Sequence, residues 1–589
     1  MAQPDRLAPP PLDLSHHFSY ATRRREASDI KDFYKYFLIP GIGNLAGGLP
    51  NPSYFPYDTL EAQVALPQRF QSRNDPGNDA LRADHPASGR LTVPKESQSG
   101  NLQKKIDLTT ALQYGTAEGY PPLLAFVRRF TRDHLHPNVP YAGGPEVILD
   151  CGSTDGFSKA VEAFTNAWNP ARDWVRQREG VLCEEFAYMN AIQTARPRGL
   201  NIVGVAMDAQ GMRVSGNGGL ADVLDNWDFR HGRRPHLMYT VTTGQNPTGG
   251  TLSLQRKREI YALCQKYDVL IVEDDPYWNL QYPSVHNPTP DEPSTPCKYN
   301  AHGNLKSSGY DFLDSLVPSY LTMDVDGRVV RLDTFSKTVA PGCRLGWITA
   351  QPPIIERLTR ITETSTQQPS GFVQSMVAEL ILGQQQEQDD SSADRRADEQ
   401  SWLMDGWVRW LAGLRAGYER RMQAMCRVLD EGRYLIRADG SDNTTSNTAF
   451  GLTDDLDAWE VVDKVQMYDF AWPAGGMFVW LRAWFETHPL RSKYPPEKLS
   501  RALWAHLTRR PYLCLVAPGR MFAATPGSVD DAVPYMRLCF APMDEAEVLD
   551  ISRRLVDGFR SFWQRESLDD DEDALGLENV GRLAAGFGC

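Results

Sequence analysis

The stretch "TFSKTVAPGCRLGWI", residues 334–348, sets a lysine and an arginine just past an apolar run, "GRVVRLD". A lysine leaving the end of a buried strand is partly desolvated. Desolvation lowers its pKa and makes the amine of Lys337 a nucleophile suited to a Schiff base with a carbonyl. Arg344, beside the Pro341-Gly342 turn, offers a forked donor that fits a phosphate. "CGSTDG" (151–156) precedes a helical pattern. Free backbone N–H groups, the positive helix end and the hydroxyls of Ser153 and Thr154 suit an anion. In "VEDDPY", Asp274 closes an apolar strand, where a carboxylate is costly unless it meets a cation. Tyr277, and Asn246 in "TTGQNPTGG", could donate to a phenolate oxygen.

Singly, each feature has an ordinary explanation: a helix cap, an Asx-Pro turn, a surface ion pair or an exposed lysine. Together, a phosphate cradle, a carboxylate for a protonated ring nitrogen, donors for a phenolate and an amine for an aldehyde describe one ligand. That ligand is pyridoxal 5′-phosphate.

These residues need elements to hold them. "EVILDCG" (146–152), "HLMYTVTTG" (236–244), "VLIVEDDPY" (269–277) and "GRVVRLDTF" (327–335) read as strands. Near-continuous apolar runs predict burial on both faces, hence an α/β fold with a mostly parallel central sheet covered by helices. Ligands of such sheets bind beyond the carboxyl ends of the strands, where each candidate lies. The pattern predicts a helix after "CGST" with Phe157, Val161, Phe164 and Trp168 on one face, and another over 254–268. Residues 354–434 read as mostly helical, and "GGMFVWLRAWF" and "VPYMRLCFAPM" as strands of a smaller α/β unit.

The expected organisation is an unstructured N-terminus (1–17), then an arm with part of the small domain (18–70) and a polar insert (71–104). A large cofactor-binding domain (105–370, insert 283–308) and a small C-terminal domain (371–564, inserts 384–400 and 437–447) follow, with an acidic tail (565–589). The inserts and tail are polar and rich in turn formers, the composition of surface loops.

The net charge of −13 argues against a general nucleic-acid binder. No apolar run is long enough for a membrane span, and no secretory signal or transit peptide is evident. Nine scattered cysteines without a CxxC pair point to reduced thiols and a cytoplasmic setting, and no metal site is expected.

The motifs, in this order, resemble the fold-type I, class I/II pyridoxal-phosphate-dependent aminotransferases. The likeness is greatest to the fungal aromatic amino acid and kynurenine/α-aminoadipate group. It rests on "NLAGGLPNPSYFP" (44–56), "ALQYGTAEGYPPLL" (111–124), "YTVTTGQNPTG" (239–249), "VEDDPYWNLQY" (272–282), "MDVDGRVVRLDTFSKTVAPGCRLGWIT" (323–349) and "PAGGMFVW" (473–480). The resemblance implies that Lys337 binds the cofactor and shuttles a proton. Asp274 would partner the pyridine nitrogen, and Asn246 and Tyr277 the 3-hydroxyl. Tyr188 in "EEFAY" would stack on the ring, and Ser153, Thr154, Thr334 and Arg344 would hold the phosphate. It further implies that Tyr114 reaches the neighbouring subunit's phosphate in a homodimer, that Arg537 clamps the substrate carboxylate, and that Gly48 and Leu49 cover the substrate. Asn246 would also border the substrate, and Phe478 with Tyr188 would give it aromatic surface.

Three positions depart from the pattern. Thr334 stands where serine is usual, Trp278 where tyrosine is common, and "ASDIK" brings Lys31 to a place that in some relatives helps bind a second acidic group. The implied reaction is exchange of an amino group between an amino acid, aromatic by this reading, and a 2-oxo acid such as 2-oxoglutarate. Aminoadipate or kynurenine as donor, and β-elimination or decarboxylation on the same scaffold, stay open. A cofactor-sensing transcription regulator would need about 60 residues or more of preceding DNA-binding domain. Only some 40 residues precede "NLAGGLPNP".

Overall fold

A computed structural model describes residues 8–27, 36, 39, 41–43, 45–67, 69, 88–285, 305–383, 402–437 and 463–568. Lys31, the insert 384–400 and most of the other inserts and the tail lie outside them. Contacts divide the chain into a first unit (1–419, 473–477 and 522–528) and a second (420–472, 478–521 and 529–589).

The first unit is built on seven strands: β1 Glu146–Asp150, β2 Gly180–Glu184, β3 Asn201–Val205, β4 Leu237–Thr240, β5 Leu270–Asp274, β6 Val329–Thr334 and β7 Gly346–Ala350. Their order in the sheet is β1-β7-β6-β5-β4-β2-β3. β7 runs antiparallel to both neighbours and the other pairs are parallel. The carboxyl ends of β1, β4, β5 and β6 therefore share one edge of the sheet. Every residue of β2 and of β4 to β7 is buried, as their unbroken apolar runs require.

Helices α1 Pro121–Arg129, α2 Ser153–Phe164, α3 Leu254–Tyr267, α4 Pro352–Glu363 and α5 Gly371–Leu382 precede α6 Leu403–Glu431, which runs from the first unit into the second. α2 ends at Phe164, so Trp168 falls outside it. Thr165 turns extended, its hydroxyl bonding back to the Val161 carbonyl at 2.5 Å. α5 and the start of α6, expected in the small domain, belong to the first unit. Val377, Ala378, Ile381, Trp407 and Leu411 share one core with Phe335, Leu345 and Trp347, and burying those rings outweighs chain order.

Two polar stretches are more ordered than their composition implies. Ser88–Pro94, inside the expected 71–104 insert, is a strand paired antiparallel with Thr59–Ala65, because alternate Leu91 and Val93 are buried. Residues 8–17, expected without structure, lie against the first unit. Leu14 is buried, and the Leu12 N–H donates to the Asp326 carbonyl at 2.9 Å. The second unit holds an antiparallel sheet in which Phe478–Ala483 pairs with Tyr468–Phe470 and Tyr535–Cys539. Helices α7 Pro496–Thr508 and α8 Glu545–Trp563 pack with each other.

Candidate active site

Side chains alternate across a strand, so β5 sends Glu273 and Asp275 to one face of the sheet and Asp274 to the other. On the Glu273 face, Arg331 of β6, in register with Glu273, is fully buried. Its Nη1 lies 3.0 Å from Glu273 Oε2 and its Nη2 3.0 Å from Asp333 Oδ1. Lys257 approaches Glu273 at 3.6 Å, Ser319 Oγ donates to the same carboxylate, and the Thr242 hydroxyl donates to Asp275 at 2.8 Å. Isolated buried charges are costly, and here they neutralise one another. The network ties β5 to β6, the strands that end in Asp274 and lead to Lys337.

On the opposite face Asp274 is buried. Its Oδ2 accepts a 2.7 Å bond from the Tyr239 hydroxyl, whereas its Oδ1 has no protein partner. Burial pushes this carboxyl up to about 6, and the Tyr239 and Ser153 hydroxyls oppose the rise. Burial likewise holds the Tyr239 phenol well above its ordinary value, so it stays a donor. The Tyr239 ring packs 4.6 Å from Phe157 of α2, which places the start of α2 beside Asp274. The Ser153 hydroxyl is buried and its geometry makes no hydrogen bond, though it is near enough to Asp274 to favour the charged form.

α2 opens on a glycine and no side chain caps it. Gly152 has φ +94, and a Cβ there would stand 2.6 Å from Arg344 Nη2. Only glycine lets the guanidinium lie over the helix start. Arg344 Nη2 also donates to the Cys151 carbonyl at 3.1 Å, and its Nη1 to Ser336 Oγ at 3.3 Å. The result is a concavity of N–H, hydroxyl and guanidinium donors.

Tyr188 reaches the same place, near Thr154 and the charges of Asp274 and Arg344, and its phenol is raised chiefly by burial. Asn190 Nδ2 donates to the Tyr188 hydroxyl at 2.7 Å. Lys337 is half-buried, its Nζ 5.9 Å from the centre of the buried Tyr277 ring. Asn246 is buried in the turn after β4. The segment 473–477 crosses over that turn. A Cβ on Gly244 would lie 2.2 Å from Gly476 Cα, the Gly476 N–H donates to the Leu280 carbonyl at 2.9 Å, and "PAGG" thereby acquires a steric reason.

Other candidates stand differently. The Thr334 hydroxyl accepts from the Ser336 N–H at 3.1 Å and donates to the Leu345 carbonyl at 3.2 Å, so it shapes the Lys337 turn. Ser336, not chosen as a site residue, is the hydroxyl that meets Arg344. Tyr114 and Gly48 are exposed and Leu49 half-exposed. The next residue, Pro50, accepts from Gln113, the neighbour of Tyr114. In the second unit, Arg537 lies over the Phe478 ring at 4.5 Å, from the strand that pairs with Phe478–Ala483. Sequence reading missed Tyr239, Gly152 and the Arg331 network. The signal for the last was present: "VRLD" and "VEDD" put charges inside apolar runs, which demands partners.

The donor set fits pyridoxal 5′-phosphate. A buried carboxyl oxygen without a partner suits a protonated ring nitrogen, the uncapped helix start with Arg344 suits a phosphate, and an amine stands at the same sheet edge.

Comparison with known proteins agrees. Residues 175–555 match the family described as Aminotransferase class I and II. An aromatic amino acid aminotransferase of Schizosaccharomyces pombe is 34% identical over 428 residues, covering 72% of this chain and 78% of that protein. An L-tyrosine:2-oxoglutarate aminotransferase of Tapinella panuoides is 31% identical over 490 residues, covering 82% and 76%. Among solved structures, the aminotransferase Aro8 from Candida albicans superposes with a TM-score of 0.71 at 29% identity, covering 95% of this chain and all of that one.

Proposed function

Because the chain belongs to the class I and II aminotransferase family, and so uses pyridoxal 5′-phosphate, we propose that it moves the amino group of tyrosine, phenylalanine or tryptophan to a 2-oxo acid, 2-oxoglutarate first among them. The observation that carries this reading is the buried Asp274, with one carboxylate oxygen held by Tyr239 and the other without a protein partner, at the sheet edge that also bears Lys337 and the Gly152–Arg344 cradle. The printed substrates of the relatives support the aromatic side chain and the acceptor.

Lys337 would hold the cofactor's aldehyde, Asp274 its ring nitrogen, Asn246 and Tyr277 its 3-hydroxyl, and Ser153, Thr154, Thr334 and Arg344, with Ser336 beside them, its phosphate, with Tyr188 against the ring. When bound, the cofactor supplies an electron sink that stabilises the carbanion left when the substrate's Cα proton departs. Asp274, kept ionised by that partner, holds the positive charge on which the sink depends. The Lys337 amine takes the Cα proton, working as a general base near neutral pH. Arg537 grips the substrate carboxylate with its forked guanidinium and so fixes which Cα bond is presented. The amino group stays with the enzyme as the first 2-oxo acid leaves, and the acceptor takes it in a second half run in reverse. A cytoplasmic homodimer goes with this reading; the scattered thiols and the exposed Tyr114 support it.

The test is a half-reaction screen: the yellow holoenzyme is mixed with single amino acids and the loss of cofactor absorbance is followed. Aromatic amino acids should react fastest. Faster conversion by aminoadipate or kynurenine would replace the substrate assignment, and no conversion by any amino acid would overturn transamination itself.

A further inference from the structure

At the edge of the sheet opposite the active site, the N-terminal segment crosses the loop between α3 and β5. Ser19 donates to the Ala163 carbonyl at 2.7 Å, and Phe18 stacks on Phe164 at 5.8 Å. This packing delivers two consecutive histidines to one carboxylate. His16 Nε2 lies 2.7 Å from Asp268 Oδ2, and His17 Nε2 lies 3.0 Å from Asp268 Oδ1. We propose that His16, His17 and Asp268 bind one divalent transition-metal ion, zinc first among them, which clasps the N-terminal segment to the sheet.

The three ligand atoms lie within 4.8 Å of one another, close enough to surround a single ion. Two imidazoles and a carboxylate are a donor set of borderline softness that suits zinc, with a fourth position left for water. Room for that water exists: the side chains of His16 and Asp268 are 57% and 49% exposed, whereas that of His17 is 5% exposed. The decisive detail is His17. Its Nε2 is buried and has no hydrogen-bond partner, although a carboxylate oxygen stands 3.0 Å away. An imidazole nitrogen held against a carboxylate in this way can exchange the proton between them for a metal ion, because metal binding displaces protons from its ligands.

The surroundings hold the ligands in place. His236 stacks on His17 at 5.4 Å and spends its own Nε2 on the Phe164 carbonyl at 2.9 Å, so it is a wall rather than a ligand. Asp268 sits in the left-handed region, φ 53, at the C-terminus of α3. Arg328 Nη1 comes within 3.5 Å of Asp268 Oδ1, but its guanidinium is already paired with Asp326 at 2.8 and 3.0 Å. The site is independent of the amino-transfer reading, and the cysteine spacing offers no hint of it.

The experiment uses untagged, full-length holoenzyme stripped with a chelator. Zinc is titrated by calorimetry, and cobalt(II) is followed by its visible ligand-field bands. Wild type should bind one ion per chain and melt at higher temperature with zinc. His16→Ala, an exposed substitution far from the active site, should lose at least about tenfold in metal affinity, the loss that even outer-shell partners of a metal cause, and lose the zinc-dependent rise in melting temperature while transaminating normally. Asp268→Asn should behave likewise. Absence of binding by wild type, or equal binding by wild type and both variants, would overturn the proposal.

Discussion

Tyr239→Phe removes one hydroxyl and leaves the ring against Phe157. That hydroxyl is 2.7 Å from Asp274 Oδ2, in a site closed to solvent. A hydrogen bond to a charged acceptor contributes about 1.5–3 kcal/mol. Without it the carboxyl, already pushed up to about 6 by burial, should keep its proton through neutral pH. An unfolded aspartate titrates near 3.9, so the cofactor-free folded protein binds the extra proton, and its stability falls as pH rises from there through the folded value. In wild type that fall is complete a little above pH 6. In the variant it continues to higher pH, by about 0.5–2 kcal/mol, the charged bond less the neutral one. At acid pH both carboxyls are protonated, and only a neutral hydrogen bond of about 1 kcal/mol separates the two proteins. The assay compares cofactor-free wild type and variant by denaturant unfolding at about pH 5 and about pH 8. Other buried acids, such as Asp150 and Glu184, pushed up to about 7, titrate in both proteins and cancel in the difference. The gap between the proteins should widen towards pH 8, and the variant should bind cofactor more weakly than wild type at that pH. A gap that is the same at both ends would refute the claim that Tyr239 holds the Asp274 charge.

Lys337→Ala should purify without covalently held cofactor, and turnover should fall by about 10³-fold or more; borohydride trapping followed by mass spectrometry checks the attachment, and an adduct elsewhere in the variant would displace the assignment. Gly152→Ala would force a Cβ against Arg344 at a backbone angle costing about 1–3 kcal/mol. Cofactor affinity, measured by fluorescence quenching, should drop, and the loss should be larger than in Thr334→Ser, which keeps the hydroxyl. Arg537→Lys retains the charge but not the fork. KM for the amino acid should rise while cofactor affinity is unchanged; an equal loss of both would place Arg537 in the cofactor's site.

The sequence alone determined the strands that carry the chemistry and the reactive groups at their ends. Both are local properties: an unbroken apolar run is buried wherever it is placed, and Asp274 or Lys337 at its end must then face the sheet edge. The identity of Tyr239 as the partner of Asp274 was not local. It depends on β4 and β5 pairing in parallel with Tyr239 opposite Val272, a register set by the whole sheet across 35 residues of chain. The same holds for the Arg331 cluster, whose members come from α3, β5, β6 and the Ser319 turn, and for His17, which meets Asp268 across some 250 residues. Hydrophobic patterning states which side chains leave water. Hydrogen bonds and ion pairs need their partners within about 3 Å, a distance that only the assembled packing sets.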